Sequence, residues 1–214
     1  MLANGDAIID AVRRAGDFPG CSFGAHLNLT ENRPLSNEKE LAALLTPAGL
    51  FSKHAIRTTP LTSELRKAIY CELSAQVQFL LSQGVSISHF DSHHYIHTIP
   101  KLFGVLKSLQ ARFGVTKVRA TMNVYAIHQS SILMLKKSLW NLSLRHLHKT
   151  TTTDLFTSLD IFHAQAQTMT RIPRSIELMT HPGSLNNDHE HELLSQGWEN
   201  SCPFSMTPIN YNQL

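Results

Sequence analysis

Short apolar strands alternating with helices run through this chain, and that alternation leaves few folds open. Residues 22–29 read as a strand, with Phe23, Ala25, Leu27 and Leu29 alternating against His26 and Asn28. Residues 60–83 read as the longest helix. There Leu65, Ile69, Leu73, Val77 and Leu80 recur at helical spacing, Thr62 or the Thr59–Pro60 pair supplies a start, and Gly84 a stop. Further strands are expected at 85–90, 115–120, 175–179 and 208–211, and helices at 6–15, 37–45, 100–113, 130–147, 161–169 and 190–196. Strands separated by helices predict βα units and a parallel sheet, open or closed into a barrel. Neither a repeat nor a linker interrupts the pattern, so a single domain over residues 1–214 is expected. The chain opens directly into a helix, where parallel βα folds ordinarily begin with a strand.

Composition excludes several classes. Charged residues are only 16% and hydrophobic ones 42%, which argues against disorder and supplies a core. No run approaches the ~18 apolar residues of a membrane span, so no membrane is expected as a partner. The start lacks a basic region followed by an apolar one, so no secretory signal is expected. The net charge of +3 comes from scattered Lys and Arg, densest at 136–149, where they interleave with Leu and Trp140. That stretch reads as a solvated helix face, and nucleic acid is not expected as a partner. Three cysteines (Cys21, Cys71 and Cys202), with no Cys-x-x-Cys, fit a reducing, cytoplasmic setting rather than a disulfide framework.

Histidine is the unusual residue, with 13 copies. The string His89-Phe-Asp-Ser-His-His-Tyr-Ile-His97 follows an apolar strand. At period 2, His89, Asp91 and His93 share one face. Imidazole nitrogens ligate divalent metals, and a carboxylate two residues away can fix a ring's tautomer. His26 and Asn28 are the polar positions of the 22–29 strand. His181 lies just past the 175–179 strand, where Pro182–Gly183 forces a turn. Ligands of parallel α/β folds bind beyond the carboxyl ends of strands, so three strand ends would each deliver a histidine there. This points to metal-assisted hydrolysis of an amide or ester, although no obvious acidic partner completes the ligand set. Asp6, Asp10 and Asp17 fall in or after the first helix.

Taken together, these motifs resemble the YdjC/ChbG-like carbohydrate deacetylases. The matching strings are Gly24-Ala-His-Leu-Asn-Leu-Thr-Glu-Asn-Arg-Pro-Leu35, His89 to His97, Val118-Arg119, Thr153-Asp-Leu-Phe156 and Glu177-Leu-Met-Thr-His-Pro-Gly183. The resemblance implies an α/β fold, a distorted (β/α) barrel of the glycoside hydrolase/deacetylase type. It implies removal of acetyl groups from small N-acetylated carbohydrates with a divalent metal ion, Mg2+ the first choice and Zn2+ the second. By the same resemblance His26 and His93 bind the metal. Asp91, as orienter, and His181, as acid, are the catalytic pair, while His97, Arg119 and Asn28 face the substrate. A homodimer is the assembly considered.

One departure accompanies the match. Family members begin with a strand ending in Ala-Asp-Asp-Phe-Gly, and Met1–Gly5 corresponds to the tail of their second strand. The expectation is therefore a barrel incomplete at its N-terminal strand and an enzyme impaired by loss of the Asp-Asp pair. The alternative is a non-catalytic or degenerate sugar-binding relic of the same fold.

Overall fold

A computed structural model describes residues 1–125, 129–147, 149–169, 171–183 and 188–214. The chain divides into two compact units. The first holds residues 1–118, 147–150 and 210–213, and the second holds 119–146, 151–209 and 214.

The first unit runs α1 (Ile8–Ala15), β1 (Phe23–Leu27), a 3-10 helix (Lys39–Leu44), α2 (Ala55–Thr58), α3 (Ser63–Ser82), β2 (Ile87–Ser92), a 3-10 segment (His93–Thr98) and α4 (Phe103–Phe113). Helix α3 begins where its cap predicts: the Thr62 hydroxyl accepts from the Leu65 amide at 3.1 Å. It ends at Gly84, whose φ of +82° lets the Val85 amide turn back to the Leu80 carbonyl at 3.1 Å. Its face of Leu65, Ile69, Leu73, Val77 and Leu80 is buried, each such side chain contributing about 1.5–3 kcal/mol.

Strands β1 and β2 pair in parallel, with Ala25 opposite Phe90, His26 opposite Asp91 and Leu27 opposite Ser92. On the outer edge of β1 the Met1 amine donates to the Gly24 carbonyl, and the His26 amide donates to the Met1 carbonyl at 2.8 Å. On the outer edge of β2, Phe90 bridges Val118 in parallel. Of the strand expected at 115–120, only bridge pairing at Lys117 and Val118 forms among the described residues. The strand expected at 208–211 does not form: residues 208–210 are irregular and a turn follows at 211–213. It is fastened by side chains: Asn210 donates to the Gly20 carbonyl at 2.7 Å, and the Tyr211 amide to the Ser22 hydroxyl at 3.0 Å.

The second unit holds α5 (Ser131–His146), β3 (Leu155–Ser158), α6 (Leu159–Ala166), β4 (Ile176–Met179) and α7 (Asp188–Ser195). Strands β3 and β4 pair in parallel from Leu155 opposite Ile176 to Ser158 opposite Met179. The sequence pattern does not announce β3, because it passes into α6 with no turn residue between them. Phe156, Leu159 and Phe162 are buried here, while Ile132, Leu135, Leu139 and Leu142 of α5 are exposed. The class is therefore mixed α/β with parallel pairing, in two two-stranded sheets among the described residues. No helix among those residues is long and apolar enough to cross a membrane.

Candidate metal centre

The site is built where β2 ends. Register places His26 beside Asp91, and His26 Nδ1 lies 2.7 Å from Asp91 Oδ2. Asp91 is 6% exposed and can only accept when ionised, so Nδ1 carries a proton and, in the neutral ring, Nε2 presents the lone pair.

Beyond Ser92 the strand gives way to two consecutive left-handed residues, His94 (φ 48°, ψ 30°) and Tyr95 (φ 57°, ψ 34°). Neither is glycine, and each such placement costs of order 1–3 kcal/mol, which surrounding structure must impose. Arg57 Nη2 holds the turn by donating to the His94 carbonyl at 2.7 Å. This turn breaks the period of 2 and brings both His93 and His94 toward a loop from β1, their ring centres 4.0 Å apart.

That loop carries Glu31. Asn28 is fully buried and folds it: Asn28 Oδ1 accepts from the Thr30 amide at 2.9 Å, the Thr30 hydroxyl at 3.0 Å and the Glu31 amide at 3.2 Å. Because the Thr30 hydroxyl gives its proton to Asn28, it can only accept from His94 Nδ1, 2.9 Å away. His94 Nε2 is thus left as a lone pair, 3.8 Å from Glu31 Oε1. Burial first, and the neighbouring His93 next, push His94 below the ordinary imidazole pKa, with Glu31 opposing.

Glu31, His93 and His94 each bring one donor atom within 4.8 Å of the others. His93 Nε2 is buried and makes no hydrogen bond; Glu31 Oε2 lies 3.1 Å away, close enough for an ion pair but not aligned for a hydrogen bond. Two imidazoles and a carboxylate converging in this way fit a divalent cation of the Zn2+ or Mn2+ kind, and Mg2+ through the carboxylate. The acidic partner that the sequence pattern did not reveal is Glu31. The signal for it was its place just after the buried Asn28, though only the fold brings it to His93.

The other expected site residues divide. His26 stands beside the three, outside the converging set, its ring centre 5.5 Å from that of His93. His97 is 3% exposed; its Nδ1 lies 2.5 Å from the Ser92 hydroxyl, among Leu27, Ile96, Leu102 and Leu106. Asn28, also buried, serves the loop as described. His181 and Arg119 belong to the second unit. The His181 amide donates to Glu190 Oε2 at 2.7 Å, and its ring is half exposed. Arg119 Nε donates to Glu177 Oε1 at 2.8 Å, Nη2 pairs with the same oxygen at 2.7 Å, and the guanidinium lies 4.6 Å from the centre of the Phe156 ring.

A family profile described as YdjC-like protein matches residues 1–202. The chain belongs to the YdjC-like family. This YdjC-like chain is 36% identical over 117 residues to carbohydrate deacetylase 1 of Listeria innocua serovar 6a, a stretch covering 54% of this chain and 46% of that protein. It is 34% identical over 118 residues to the carbohydrate deacetylase of Vibrio vulnificus, covering 54% of this chain and 44% of the relative. The aligned stretch thus spans less than half the length of these curated relatives. Among solved structures it is similar to an Enterococcus faecalis V583 protein named for cellobiose-phosphate cleavage, with a TM-score of 0.70 and 17% identity over 99% of this chain and 85% of that one. At that identity the likeness speaks for the fold of the YdjC-like chain.

Proposed function

We propose that this YdjC-like chain acts in metal-dependent deacetylation of a small N-acetylated carbohydrate, with Glu31, His93 and His94 as the holders of a divalent cation. The observation that carries the reading is the convergence of those three donors beside the His26–Asp91 pair. The names of the curated relatives support the substrate class. The parallel pairing in each unit, and the likeness over 99% of the chain, support a barrel of the deacetylase type.

A cation held there would act as a Lewis acid on an amide carbonyl. The chain's own residues do the rest. Thr30 keeps His94 in the tautomer whose Nε2 faces Glu31. Asp91 keeps His26 protonated at Nδ1, so that Nε2 can ligate or take a proton, and its carboxylate stabilises the imidazolium that results.

The test is acetate release from N,N'-diacetylchitobiose by the 214-residue chain after chelation and re-addition of Mg2+ or Zn2+. Release that needs the metal and falls to background in His93→Ala is expected. No release above that variant would overturn the reading. Sugar binding indifferent to metal would favour a non-catalytic binding protein.

A further inference from the structure

Helix α3 carries a polar pair that neither the core nor the proposed chemistry uses. Glu72 is 0% exposed and Gln76 1% exposed, one helical turn apart on the face that packs toward the 28–36 loop. Gln76 grips Asn28 by both main-chain groups: the Asn28 amide donates to Gln76 Oε1 at 2.9 Å, and Gln76 Nε2 donates to the Asn28 carbonyl at 2.7 Å. Glu72 grips the other end of the loop, accepting from the Leu35 amide at 3.1 Å and the Ser36 amide at 2.7 Å. Gln76 Nε2 also donates to Glu72 Oε1 at 2.8 Å, tying the two grips together.

Burying a carboxylate without a cation is expensive, and apolar residues of similar volume usually stabilise a core as well or better. What this pair does that apolar residues could not is fix the loop between residues 28 and 36. From Asn28 the contacts run on to the Glu31 amide and, through the Thr30 hydroxyl, to His94 Nδ1. Two of the three converging donors are thus positioned by one helical turn of α3.

We propose that Glu72 and Gln76 are positioning residues for the cation site, acting through Asn28 and Thr30 on Glu31 and His94. The inference rests on the metal reading above. Partners behind metal ligands typically govern affinity by about 10–100-fold.

The test is Co2+ binding followed by its visible absorption bands, in the full chain. Gln76→Met removes all three of that side chain's bonds at similar volume. It should weaken Co2+ by about 10-fold or more and change the bands, at a temperature where circular dichroism shows the chain folded. Leu80→Ala, one turn further along the same helix and wholly buried, controls for lost stability and should leave affinity and bands unchanged. Should Gln76→Met not fold, Glu72→Gln replaces it, since it keeps the shape but sets one amide N–H against a donor. Wild-type affinity and bands in a folded Gln76→Met or Glu72→Gln chain would overturn the proposal while leaving the metal reading standing. No Co2+ binding by the unmutated chain would overturn the metal reading and this proposal with it.

Discussion

Gly24 shows how a single atom governs this architecture. A Cβ built on it would lie 2.4 Å from His89 Nε2, well inside van der Waals contact. The His89 ring cannot swing aside: it stacks on Tyr211 with centres 3.6 Å apart, and its Nδ1 lies 2.8 Å from the Ser88 hydroxyl. His89, which the sequence groups with the candidate ligands, is therefore a packing residue that needs glycine opposite it. Gly24→Ala should lower stability by about 1–3 kcal/mol in urea unfolding, as overpacking does. In a His89→Ala background the same change should be markedly milder, because the clash has gone. Equal losses in both backgrounds would show that the clash is not the cause.

At the level of elements, the helices that sequence locates are those with local stop and start signals. Gly114 ends α4 in the left-handed region at φ 68°, and a Cβ there would meet nothing within 4 Å. Gly114→Ala should therefore cost only the backbone strain, roughly 1–2 kcal/mol. Thr62→Ala at the start of α3 should cost about 1 kcal/mol through its lost cap. Thermal midpoints unchanged in both variants would refute the view that these caps matter. Period and caps are written in neighbouring residues, which is why α3 and α4 were legible within a few positions. Strand β3 was not, having only four residues and no turn before α6. The end of β2 was misplaced for a related reason: Asp91 and Ser92 look like loop residues until β1 is known to lie alongside. The candidate centre was half legible. His26, His93 and Asp91 stand out by type and spacing. Glu31 and His94 depend on a strained turn and a buried loop grip from α3, and neither leaves a periodic trace.

At the scale of the molecule, one buried cation ties stability to pH. Lys107 on α4 is 5% exposed and donates from Nζ to Gln110 Oε1 at 2.9 Å, the Leu147 carbonyl at 2.9 Å and the Thr150 hydroxyl at 2.7 Å, fastening Leu147 and Thr150 to that helix. Burial pushes its pKa from 10.5 down to about 8. Between those two values the folded chain has released a proton that the unfolded chain still binds, so this group adds stability as pH rises from 8 toward 10. Below pH 8 both states carry the proton, so the pH dependence ends and the cost of burying the charge is felt in full. Cys71 and Cys202, whose thiols burial pushes up, act in the opposite sense: the folded chain keeps a proton that the unfolded chain loses, and stability falls with pH. The raw pH profile therefore mixes signs, and only a difference isolates Lys107. Lys107→Met removes the titrating group at similar volume, and the Thr150 hydroxyl can still donate to either Gln110 Oε1 at 3.2 Å or the Leu147 carbonyl at 3.0 Å. Urea midpoints of the two chains, measured from pH 7 to 10, should diverge above pH 8, with the unmutated chain gaining on the variant. Parallel profiles across that window would mean that the cage of acceptors around Nζ offsets the burial and that Lys107 keeps its proton in the folded chain.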